Sequence, residues 1–97
     1  MDRVRSGSLS KLYEVILGLE SVEECYDFFC DLCTMSEMKA MEQRFEVAKL
    51  LSEGKIYNDI LEQTGTSSAT ISRVNRSLHY GKDSYWELFR RMEEQKK

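Results

Sequence analysis

Apolar residues return along this chain at intervals of three and four, the spacing of one face of an α-helix. Leu9, Leu12, Tyr13, Ile16 and Leu19 form the first such stripe and predict a helix over about Leu9–Leu19. Ser21 with Glu24 reads as a capping box opening a second helix that ends near Cys33. Ser36 is placed to cap a third and longest helix, reaching about Glu53, with Met38, Met41, Phe45, Ala48 and Leu51 as its stripe and Gly54 as its stop. A short fourth helix, about Ile56–Gln63, is closed by Gly65. The fifth begins after Thr66 or Ser67 and fades near His79 and Gly81. Ser84 with Glu87 reads as a second capping box, opening a last helix that carries Tyr85, Trp86, Leu88, Phe89 and Met92. Proline is absent and glycine scarce, so the expected fold class is all-α, with six helices in one domain over residues 1–97.

The two short helices around Gly65 are the informative part. On the second of them Ile71, Val74 and Leu78 fall at i, i+3 and i+7 and predict its buried stripe, while Ile60 and Leu61 pack the first inward. The opposite face then presents Ser68, Thr70, Ser72, Arg73 and Arg76. This is the layout of a helix-turn-helix over about residues 56–79. A helix that enters the major groove needs small residues at its leading end, and Ser67, Ser68, Ala69 and Thr70 are small. Hydroxyls there reach base edges, phosphates or bridging waters, and amides at a helix start attract phosphate. Asn58 on the preceding helix joins the candidate DNA-contacting set. One departure is Leu61, which stands four residues before the turn glycine, where such motifs usually carry a small side chain.

Charge changes the picture by its distribution. The net charge is -3, and residues 13–62 hold twelve acids against Lys39, Arg44, Lys49 and Lys55. Within residues 66–82, by contrast, Arg73, Arg76 and Lys82 meet no acid at all. A local basic surface can bind a polyanion while the remainder of the chain repels it.

The run "ATISRVNRSL" resembles the core of the Trp repressor family, and "TMSEMKAMEQRFEVAKLLSEGKIYNDILEQTG" resembles the segment before it. The likeness covers about residues 9–92 and is strongest to the short Trp-repressor-like YerC/YecD group. It implies an intertwined all-helical homodimer that binds double-stranded palindromic DNA and regulates transcription as a repressor or an activator. It also implies an effector site. Arg44 and Arg73 match the two arginines that sandwich an indole, and Thr34 and Ser77 match residues holding the ligand's polar groups. Thr70 and Ser72 match recognition-helix positions near DNA. Where tryptophan-binding members have glycine after the second arginine, this chain has Val74, and its segment between Gly54 and Gly65 is one residue shorter. The valine is expected to crowd an indole, so L-tryptophan, another small effector and no effector remain alternatives.

Other function classes find little support. Cys25, Cys30 and Cys33 are odd in number and lack the fourth cysteine of an iron–sulfur pattern, so they are expected to be core thiols, with no metal. His79 is the single histidine, and no Ser/His/Asp or Cys/His set assembles around it, so no enzyme activity and no catalytic residue are expected. No apolar run approaches the ~20 residues that span a bilayer, and a cytoplasmic protein without membrane partners is expected. The competing reading is a helical protein–protein adaptor that keeps the fold without binding DNA, favoured by the acidic block over residues 13–62.

Overall fold

The computed structural model describes residues 9–96, with side chains from residue 11 onward. The side chain of Leu9, counted in the first stripe, therefore lies outside the described residues. Among the described residues the fold is all-helical, as the spacing predicts, with α1 (Leu9–Leu17), α2 (Val22–Leu32), α3 (Met35–Ser52), α4 (Tyr57–Thr64), α5 (Ser68–Tyr80) and α6 (Ser84–Lys96). The chain divides into two compact units, one up to Met38 and one from Lys39 on.

The second unit carries a core. Val47 and Ala48 of α3, Ile60 of α4, Ile71, Val74 and Leu78 of α5, and Phe89 of α6 form one buried cluster. Leu50, Leu51, Leu61, Tyr85 and Met92 pack around it. Tyr85 stacks on Phe89 at 5.9 Å between ring centroids, and Phe45 meets Phe89 in a tilted arrangement at 5.5 Å. The Lys49 ammonium lies 5.1 Å from the centre of the same ring. Burial of this kind contributes roughly 1.5–3 kcal/mol for each fully covered large apolar side chain.

The first unit is different. None of the described side chains of α1 and α2 is buried. Leu17 and Val22 are largely exposed, and Tyr13, Val15, Tyr26 and Leu32 are about half exposed. The three cysteines are half-buried rather than enclosed, so they are not the core thiols that the sequence predicts.

Three further expectations change. Thr34, not Ser36, caps α3: the Glu37 amide donates to the Thr34 hydroxyl at 3.1 Å, and the Thr34 amide donates to the Glu37 carboxylate at 2.8 Å. At α2 the box is half formed. The Glu24 amide donates to Ser21 Oγ, but the Glu24 carboxylate accepts from the Glu20 amide instead of the cap's own. The second predicted box does not form. Ser84 is already helical, Asp83 before it sits at φ 66°, and the Glu87 carboxylate is taken by Arg90 and Arg91. Two arginines one turn ahead offer charged donors, which outcompete a neutral backbone amide.

Candidate nucleic-acid interface

The helix-turn-helix is built from the inside outward. Ile60 is fully buried on α4, and Ile71, Val74 and Leu78 are 0%, 3% and 1% exposed on α5, which confirms the predicted stripe. Leu61 is half-buried against the same core, so the larger side chain is accommodated at the position where a small one is usual.

The turn is fixed by short-range hydrogen bonds. Gly65 ends α4 in the left-handed region at φ 69°, ψ 13°, with its amide donating to the Leu61 carbonyl. An L side chain rarely adopts that conformation, and glycine adopts it without cost from a Cβ. The Thr64 hydroxyl donates to the Ile60 carbonyl at 2.8 Å and accepts from the Thr66 amide at 3.3 Å. Gln43 of α3 donates from its side-chain nitrogen to the Thr64 carbonyl at 3.3 Å. Gln43 was not legible as a brace, because nothing in its local spacing links it to a residue in another helix.

Ser67 then caps α5. Its hydroxyl accepts from the Thr70 amide at 3.1 Å and donates to the Thr70 hydroxyl at the same distance. This leaves the leading end of α5 free of bulk. Ser67, Ser68, Ala69, Ser72, Arg73 and Arg76 are exposed and Thr70 is half-buried. Asn58 is exposed on α4.

The other end of α5 is also pinned. The Trp86 indole N–H donates to the Leu78 carbonyl at 2.9 Å. The Gly81 amide donates to the Ser77 carbonyl, and a Cβ on Gly81 would lie 2.4 Å from that oxygen. Glycine is thus required here for space.

The electrostatics match the sequence pattern. Arg73, Arg76 and Lys82 form no ion pair among the described residues, whereas Arg90 and Arg91 of α6 are engaged by Glu87, and Arg90 also by Glu94. The neighbouring arginines hold the Glu87 carboxyl below the usual carboxylate range, chiefly through the Arg90 hydrogen bond.

The effector residues are dispersed by role. Thr34 serves as the cap of α3, and Arg44 is exposed and makes no ion pair among the described residues. Ser77 is exposed on α5. Val74 packs with Ile71 and Leu78 in the core, so its surface is taken up by the helix anchor.

The family profile described as Trp repressor protein matches residues 7–93. The uncharacterized protein YerC of Bacillus subtilis (strain 168) is 51% identical over 85 residues, covering 88% of this chain and 82% of YerC. Among solved structures, a TrpR-like protein from Eubacterium eligens ATCC 27750 is 49% identical and superposes with a TM-score of 0.89, covering 95% of each chain. A provisionally assigned Trp repressor from Staphylococcus aureus is 46% identical, with the same TM-score, covering 95% of this chain and 92% of its own. This chain belongs to the Trp repressor family.

Proposed function

We propose that this member of the Trp repressor family is a homodimeric, sequence-specific DNA-binding regulator of transcription that reads the major groove with α5. The observation that carries this reading is the accessible face of α5, where Arg73 and Arg76 have no carboxylate partner beside a leading end of small hydroxylated residues. Arginine and lysine that are not paired internally are the groups that displace counterions from phosphate. The Ser67 hydroxyl donates to Thr70 Oγ1, so the Thr70 proton is left to donate outward. That favours a base acceptor such as a purine N7 or a thymine O4.

Dimerisation is supported by apolar surface in excess of what one chain covers. Leu17, Val22, Met35, Ile56 and Tyr80 are each more than 60% exposed. Obligate dimer interfaces resemble a core cut in half, and a second copy supplies the missing half.

The salt dependence of DNA binding tests the reading. Arg73→Ala and Arg76→Ala are each expected to lower the log–log slope of affinity against salt by about 0.9 where the side chain meets phosphate. Thr70→Ala is expected to cost about 1–3 kcal/mol at the preferred site and little on unrelated DNA. Affinity that ignores salt and all three substitutions would instead favour the adaptor reading.

L-tryptophan is expected to bind weakly or not at all, because Val74 occupies the core beneath α5 and offers no slot for an indole. Titration calorimetry checks this, and micromolar binding by the unmodified protein would overturn it.

A further inference from the structure

Carbonyls in the last turn of a helix have no partner inside the helix and must find one elsewhere. At the end of α4 the Leu61 carbonyl accepts from the Gly65 amide, and the Thr64 carbonyl accepts from Gln43 Nε2 at 3.3 Å. The first donor belongs to the turn itself. The second comes from α3, 21 residues away in sequence, and ties the turn to a helix outside the helix-turn-helix.

The two kinds of contact that hold α4 and α5 on α3 fix different things. Apolar packing is non-directional. Ile60, Ile71, Val74 and Leu78 meet Val47 and Ala48 of α3 and set how closely the helices approach. A hydrogen bond is restricted in distance and angle. A carbonyl oxygen only accepts, so the Gln43 amide must present its nitrogen, and that nitrogen fixes where the turn stands on α3. Thr64 passes the constraint on. Its hydroxyl accepts from the Thr66 amide at 3.3 Å, and the next residue, Ser67, caps α5 through the Thr70 amide.

We propose that Gln43 is a positioning residue for sequence discrimination, acting through Thr64 to hold the leading end of α5 in register with base edges. The proposal rests on the reading of α5 as the helix that enters the major groove. Contacts with phosphate act through charge and carry no sequence information, so they tolerate a small shift of the helix. Hydrogen bonds to base edges from a short side chain such as Thr70 need donor–acceptor distances of about 2.5–3.2 Å and do not tolerate it. Loss of the brace therefore weakens binding at the preferred site and leaves binding to unrelated DNA nearly unchanged.

The test compares the full chain with Gln43→Met and Gln43→Glu. Both keep the length of the side chain. Methionine has no donor, and an ionised glutamate sets an acceptor against the Thr64 carbonyl. Affinity is measured on the preferred site, obtained by selection from random DNA, and on unrelated DNA of the same length. The temperature is one at which thermal melts show every chain folded. The ratio of the two affinities is expected to fall about three- to tenfold in Gln43→Met, the scale of one hydrogen bond, and further in Gln43→Glu. Affinity of Gln43→Met for unrelated DNA is expected to stay within about twofold of the parent's. Without DNA, amide exchange at Thr66 and Thr70 is expected to quicken in both variants. A ratio equal to the parent's in both variants overturns the proposal and leaves the DNA reading standing. Parallel losses on both DNAs do the same, because they mark a role in stability alone. Unchanged exchange at Thr66 and Thr70 also overturns it, since the turn is then held without Gln43. A parent chain that binds no DNA, or all sequences equally, overturns both.

Discussion

Helices α2 and α5 are of similar length, and the one richer in apolar residues is the less buried. Seven of the eleven residues of α2 are apolar or aromatic, against five of the thirteen in α5. Yet α5 buries Ile71, Val74 and Leu78, while α2 buries none. An amphipathic stripe therefore states a demand for cover, and the cover must come from elsewhere. For α5 it comes from α3, α4 and α6, which supply Val47, Ala48, Ile60 and Phe89. For α2 the proposed homodimer would supply it, and the stability of the two helices would then respond differently to protein concentration.

The sharpest way to break this contrast is to truncate one anchor in each region. Leu78→Ala removes a side chain that is 1% exposed and is expected to cost about 2–5 kcal/mol in urea unfolding. Phe29→Ala, in α2, is expected to act mainly through association, so its urea midpoint should fall further at low protein concentration than at high. Equal, concentration-independent losses at both positions would remove the case for a shared interface at α2.

A smaller effect is expected at Gly81, where a methyl group would stand 2.4 Å from the Ser77 carbonyl oxygen. Gly81→Ala is expected to cost about 1–3 kcal/mol, since the end of α5 must shift to relieve the overlap. Amide exchange near Leu78 and Ser77 should rise while that of α2 stays unchanged.

The smallest effect concerns acid. Glu87 has its pKa lowered by Arg90 and Arg91, so its pairing stabilises the fold above the unfolded-state value and is lost as pH falls through the lower folded-state value. The groups are solvent-exposed, so the effect is screened by salt. Glu87→Gln is expected to flatten the decline of Tm below the ordinary carboxylate range in low salt. At neutral pH a small loss from the missing pairs is expected. An unchanged acid profile in the variant would show that these pairs contribute nothing to the fold.

The helix-turn-helix was legible because its signals are local. Ile71, Val74 and Leu78 mark a face by spacing alone, and Gly65 and Ser67 mark a stop and a start by conformation and chemistry. Helix α3 was less legible. Its apolar residues lie all around the axis, so spacing selected Met41 and Phe45, which remain exposed, and passed over Val47, which is fully buried. A helix that meets apolar neighbours on several sides carries no single stripe to read. Caps failed where two donors compete for one acceptor, as at Glu87, and where Thr34 lies closer to the helix start than Ser36. The brace from Gln43 to Thr64 spans 21 residues, a separation at which local pattern holds no information.

One contact at the end of α5 gives the protein a spectroscopic handle. Trp86 is the single tryptophan of the chain, and its indole is tied to the Leu78 carbonyl while its ring lies 6.2 Å from that of His79. Any event that reseats α5 must alter the hydration of that indole. The wavelength of its emission therefore follows the docking of α5 without an added label, and a titration with DNA can be watched through the protein's own fluorescence.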